Sequence, residues 1–157
     1  TISTHILTID RLTGPSMSPA LNPTNRLTHT SSSDYLLISP LRFHAPFSFS
    51  RCIYTLARGD VVSFRKPQNP EERGVKRVIG LPGDRIIRRG ERSEFNKRHA
   101  RNLGLGKVDG DVVVPAGRVW LEGDNWRESF DSNDVGSVPI QLVEGRVLGV
   151  VWPPGRW

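Results

Sequence analysis

Short apolar runs set between Gly, Pro, Asn and Asp dominate this chain, and helical periodicity is scarce. Branched and aliphatic residues gather at 6–12, 35–38, 60–64, 75–81, 85–87, 118–121 and 146–152, each run bounded by turn-forming residues. The 15 glycines and 12 prolines are spread along the sequence rather than clustered, which suits short strands and many turns better than a helical bundle. The pattern predicts a mainly β fold with little helix. At 157 residues there is room for one real core and little for a second. Residues 1–157 are therefore read as a single domain, with an irregular insertion at 40–57 and a variable loop at 88–107.

Within the run at 75–81, strand alternation sends Lys76 and Val78 to one face and Val75, Arg77 and Ile79 to the other, so one basic residue must point into apolar surroundings. A lysine so placed loses its charge more readily and can accept a proton as a neutral amine. The competing reading is an edge strand whose lysine discourages aggregation. Upstream, Gly14-Pro15-Ser16-Met17-Ser18-Pro19-Ala20-Leu21 is a proline-broken turn after an extended run. Such a turn can present a hydroxyl rigidly beside free backbone N–H groups, although a turn serine needs an identifiable base before it reacts. Downstream, the polar stretch from Gly123-Asp124-Asn125 to Ser129, Asp131 and Ser132 follows the run at 118–121; it is either a surface loop or a site on a rigid scaffold.

Charge changes this picture little. Lys and Arg number 22 against 16 Asp and Glu, a net charge of +6 that favours an anionic neighbour without choosing between nucleic acid and membrane surface. The basic residues are dense only at Arg85, Arg88, Arg89, Arg92 and 97–101, with no interleaved aromatics, and read as a solvated loop. The single cysteine, Cys52, excludes an internal disulfide. The histidines, His5, His29, His44 and His99, lack metal-ligand spacing, so neither a metal nor a cofactor is expected. No run approaches the roughly 18 apolar residues of a membrane span, and no cleavable targeting segment is recognisable. The chain as given is expected to be soluble or to lack its anchor.

Taken in order, Ser16-Met17 with Pro19, Arg58-Gly59-Asp60-Val61-Val62, Lys76-Arg77 with Gly80-Leu81-Pro82-Gly83-Asp84, and Gly123-Asp124-Asn125 with Ser129, Asp131 and Ser132 resemble the motif boxes of the type I signal peptidases. The resemblance covers most of the chain from Leu12 onward. Asn133, where most relatives carry Arg, and the ending Val151-Trp152-Pro153-Pro154-Gly155-Arg156-Trp157 are similar to the second-subunit type of the mitochondrial inner-membrane branch.

The resemblance implies the signal-peptidase and LexA-like β-fold, and a serine endopeptidase in which Ser16 attacks the scissile carbonyl while neutral Lys76 takes its proton. It implies that Ser129 orients the lysine, that Asp124 pairs with Arg77, and that Asp131 and Ser132 support the site. Gly14 stands where some bacterial relatives add a hydroxyl to the oxyanion hole, leaving more of that work to the Ser16 N–H. An extended substrate would bind as an added strand, its small residues lying in shallow pockets formed by Leu12, Met17, Leu21 and Val75, for which ordinary core packing is the equal alternative. The implied partners are precursor proteins with cleavable sorting peptides, a second homologous subunit, and the mitochondrial inner membrane. The domain would face the intermembrane space through an anchor not visible in this chain, and would bind no nucleic acid. The family's upstream hydrophobic anchor is absent, which suggests shortening, a divergent gene structure or dependence on a partner. Ala20 and the long stretch at 40–56 also depart from the pattern.

Two rival readings stand beside this one. A self-cleaving repressor domain of the LexA type shares the fold, the Ser-Met and the strand lysine, but lacks the Gly123-Asp124-Asn125 box and would carry a helix-turn-helix. A non-catalytic basic β-domain that binds nucleic acid rests on the net charge alone.

Overall fold

Wherever an apolar run is predicted, the structure, a computed structural model describing residues 7–23, 33–40, 56–88, 102 and 110–154, forms a strand. In chain order these are β1 (Thr8–Arg11), β2 (Tyr35–Pro40), β3 (Val61–Lys66), β4 (Asn69–Gly80), β5 (Arg85–Ile87), β6 (Asp111–Val113), β7 (Arg118–Glu122), β8 (Val138–Pro139) and β9 (Val143–Trp152). Strands β6 and β8 were not predicted: segments of three and two residues carry too little alternation to be read. Helix among the described residues is limited to one turn, α1 (Ser132–Val135), a 3-10 turn at Ile140–Leu142, and Asn102. The expectation of a mainly β fold with little helix is met. Cys52, the four histidines, most of the insertion at 40–57 and most of the loop at 88–107, with Arg89, Arg92 and 97–101, lie outside the described residues.

Seven strands form one antiparallel sheet in the order β1-β2-β9-β3-β4-β7-β8, and β5 pairs with β6 in a separate ribbon. Alternation divides the apolar residues between the two faces of the sheet. One face packs Val62, Phe64, Val78, Val119, Leu121, Val138 and Val143 into a buried cluster. The other buries Leu12, Met17, Leu21, Leu36, Ile38 and Val150, with Val61, Val75 and Val147 against them. Burying side chains of this size contributes roughly 1.5–3 kcal/mol each. No helix among the described residues is long and apolar enough to cross a membrane.

Two features of β4 prepare the site. Its register pairs Val62 with Lys76 on β3, and Val78 with Leu121 on β7, so Lys76 projects from the same face as the first cluster. Strand β7 pairs with β4 only between Arg77 and Gly80, so the stretch from Asn69 to Lys76 is paired through β3 alone among the described residues.

Close strand approach also requires a glycine at position 145 on β9. A Cβ there would come within 2.5 Å of Ile38 Cγ2 and 2.8 Å of the Ser39 carbonyl oxygen, and the backbone atom cannot give way. Gly145→Ala is expected to destabilise the fold by about 1–3 kcal/mol. Thermal unfolding checks this, with a midpoint several degrees lower than the parent.

Candidate active site

Lys76 lies on a packed strand face and is 6% exposed. Removing its ammonium from water disfavours the charged form, and burial brings its pKa down from 10.5 to about 8. Asp131 pushes the other way, with Lys66 adding to the fall and Asp124 opposing it. Next along β4, Arg77 faces the opposite side and grips Asp124 through two parallel hydrogen bonds, Nε to Oδ1 at 2.9 Å and Nη2 to Oδ2 at 2.7 Å. Its Nη1 donates to the Gly59 carbonyl at 2.8 Å, tying the loop after β7 to the loop before β3. The expected Arg77–Asp124 pair is therefore present.

Ser16 sits in the turn that follows β1. Gly14 supplies a φ of +87° there, a conformation glycine reaches without steric cost. Carbonyls along the turn are captured one after another: Ser18 N–H donates to Pro15 O at 3.0 Å, Asn125 N–H to Ser16 O at 3.0 Å, and Leu21 N–H to Met17 O at 2.8 Å. The Asn125 side chain adds a bond to Pro15 O at 3.2 Å. The segment after β7 thus latches directly onto the Ser16 turn, and Gly123 is what allows so close an approach. A Cβ at Gly123 would lie 2.6 Å from the Ser16 carbonyl oxygen and 2.5 Å from Ser129 Cβ.

Asp131 organises that segment. Its carboxylate, on a residue 6% exposed, accepts from Gly123 N–H at 2.9 Å and from the Ser129 hydroxyl at 2.7 Å through one oxygen. The other oxygen accepts from the Asn133 backbone N–H and side-chain amide, both at 3.1 Å. The same residue caps α1, while Asp134 returns a bond to its backbone N–H at 3.2 Å. Ser132 accepts from Leu121 N–H at 2.9 Å, which pins α1 to β7.

These elements surround a cleft of about 510 Å³ lined by Thr13–Ser16, the hairpin of β3 and β4 including Val75 and Lys76, Leu121, and residues from Glu128 to Val138. Ser16 and Lys76 thus open onto one cavity together with Asp131 and Ser132. Over residues 1–152 the chain matches the family described as signal peptidase, peptidase S26. The chain belongs to the signal peptidase family. It is 36% identical over 157 residues to the mitochondrial inner membrane protease subunit 2 of Danio rerio, covering 100% of this chain and 70% of that protein. It is also 36% identical over 140 residues to the human mitochondrial inner membrane protease subunit 1, covering 89% of this chain and 66% of that protein. A crystal structure of a signal peptidase I from Enterococcus faecalis matches with 28% identity and a TM-score of 0.43, over 60% of this chain and 97% of that one. Family membership favours the signal-peptidase reading over the repressor and nucleic-acid ones.

For a signal peptidase, the residues singled out in the sequence divide cleanly. Ser16, Lys76, Gly14, Val75, Asp131 and Ser132 line the cleft, and Asp124, Arg77 and Ser129 form the shell that binds the turn and the strand together. Leu12, Met17 and Leu21, read as pocket residues or core, are buried in the second apolar cluster and do not line the cleft. Asn125 was quoted in its motif without a role, and its hydrogen bonds to two successive carbonyls supply one. Asn22 was missed altogether: at 1% exposure it donates its side-chain amide to Gly14 O at 2.8 Å. A polar residue just past a turn gives no sequence signal of such a contact.

The buried amine has a measurable cost. Because the folded pKa of Lys76 lies below the unfolded value, the unfolded chain binds more protons between about pH 8 and 10.5, and stability rises with pH across that window. The fall corresponds to about 3 kcal/mol as an upper figure. Lys76→Met should therefore be more stable than the parent at pH 7, by up to about that amount, with the difference shrinking above pH 8. Chemical denaturation at pH 7 and pH 10 checks both the sign and the trend.

Proposed function

We propose that this chain is a catalytic subunit of a membrane-associated signal peptidase that removes N-terminal sorting peptides from precursor proteins by a Ser16–Lys76 dyad. The observation that carries the proposal is the pairing in one cleft of a turn-held serine and a buried lysine, whose burial lowers its pKa to about 8. Ser16 Oγ attacks the carbonyl carbon of the scissile bond as Lys76 Nζ takes the hydroxyl proton. The ammonium so formed returns that proton to the leaving amine when the C–N bond breaks. Water then hydrolyses the Ser16 ester, with Lys76 again the base. The Ser16 N–H, facing away from the captured Pro15 carbonyl, donates to the oxyanion. Ser129 and Asp131 steady the amine's surroundings, Arg77 and Asp124 fix β4 against the loop after β7, and Ser132 holds α1 in place.

The substrate strand lies along the stretch from Asn69 to Lys76 left open by β7, with Thr13 to Pro15 on its other side. Val75 borders that lane as a pocket residue. The relatives named as inner membrane protease subunits support placing this chain at the mitochondrial inner membrane, facing the intermembrane space, beside a second homologous subunit. The chemistry requires no cofactor.

The test uses a quenched-fluorescent peptide with Ala immediately before and two positions before the cut, and the full chain together with its homologous partner subunit. Ser16→Ala and Lys76→Arg should each lower kcat by at least about 10³-fold without unfolding, since arginine stays protonated. In the parent, activity should fall with decreasing pH below about 8, as Lys76 gains its proton. Near-normal turnover by Lys76→Arg would place the base elsewhere.

A further inference from the structure

Four successive carbonyls run through the nucleophile turn, and side-chain amides secure two of them from opposite ends. Asn22 Nδ2 donates to Gly14 O at 2.8 Å, and Asn125 Nδ2 donates to Pro15 O at 3.2 Å. Pro15 O also accepts from Ser18 N–H at 3.0 Å, so the Asn125 amide is its second donor, and the bonds to Ser16 O and Met17 O come from backbone N–H groups. In a planar trans peptide the C=O and N–H point in opposite directions, so anchoring Pro15 O sets the direction of the Ser16 N–H. Anchoring Gly14 O fixes the preceding peptide, where Pro15 has no N–H of its own to hold it.

Asn22 is itself locked in place. Its φ of +52° lies in the left-handed region, which asparagine tolerates better than most residues. Its backbone N–H donates at 2.6 Å to a carboxylate oxygen of Asp34, a residue with 0% exposure whose carbonyl also accepts from Leu12 N–H at 2.8 Å. The chain on both sides of the turn, at Leu12 and at Asn22, is thus tied to Asp34 at the entry to β2. Asn125 is fixed independently, by the Asp124–Arg77 fork beside it.

We infer that Asn22 and Asn125 are positioning residues that clamp the nucleophile turn between two carboxamides, holding the Ser16 N–H toward the oxyanion. The inference rests on the assignment of Ser16 as nucleophile. It means that the oxyanion donor is aimed by side chains that touch neither substrate nor dyad.

Asn22→Gly and Asn125→Ala isolate the clamp. Glycine adopts the left-handed backbone without strain and keeps the N–H bonded to Asp34, and alanine at 125 keeps the N–H bonded to Ser16 O. The same Ala-containing peptide is used with the full chain and its partner subunit, and rates are normalised to the folded fraction measured by circular dichroism. Each variant should lose about 10- to 100-fold in kcat, with KM within about two-fold and the midpoint of the pH profile unmoved, as expected of a misaimed donor. Unchanged kcat in both variants, a loss confined to KM, a shifted pH midpoint, or a loss that vanishes on normalisation would overturn the inference. Ser16→Ala run in parallel separates the two readings: turnover surviving there removes the nucleophile assignment. Its loss there with unaffected Asn22→Gly and Asn125→Ala removes the clamp alone.

Discussion

A primary amine packed against an apolar sheet face is the constraint from which the rest of the cleft follows. Lys76 stands opposite Val62 and two residues before Val78, both fully buried, so its stem lies where a valine would be at home. A shift of β4 by one residue would put Val75 or Arg77 there instead and turn the amine to the other face. That register has to be specified more firmly than strand pairing alone provides. Arg77 provides the specification, since its fork onto Asp124 and its bond to Gly59 O can form only from the opposite face. Adjacent Lys76 and Arg77 are thus one device: the second residue fixes the register that buries the first.

The same strand changes character along its length. From Arg77 to Gly80 it pairs with β7, overlapping the β3 pairing at Arg77; before that it pairs with β3 and is open toward the cleft among the described residues. An open strand edge invites unwanted pairing. Here the exposed half is dressed with charge, through Arg65 and Arg73 on Glu144 and Lys66 on Glu72. Lys76 falls at the boundary between the two halves, where the open edge ends and the pairing with β7 begins.

Much of this was legible in the residues. Alternation around Lys76 and Val78 located the buried face, and turn residues located the strands, because both depend on local pattern. The pockets were less legible. Leu12, Met17 and Leu21 are as apolar as Val75, and nothing in their local sequence says that they belong to the second core cluster while Val75 also borders the cleft. Whether an apolar side chain lines a cleft or fills a core depends on which distant strand lies over it. The carboxamide of Asn22 was invisible for the same reason: its partner, Gly14 O, is close in sequence, but the buried Asp34 that fixes it comes from the far side of residues 24–32.

Asp131 makes the site cohere and also makes it hard to dissect. Its charge supports the protonated form of Lys76 and so works against burial, which alone would carry the amine's pKa below about 8. Yet its four bonds, to Gly123, Ser129 and twice to Asn133, hold the segment that Gly123 brings against Ser16. Those donors are neutral, so they satisfy the oxygens without cancelling the charge that reaches the amine. Removing the carboxylate would therefore change the lysine's proton affinity and the seat of the Ser16 turn together. One buried group bears on both the seat of Ser16 and the proton affinity of Lys76, so a change at Asp131 cannot alter one without disturbing the other.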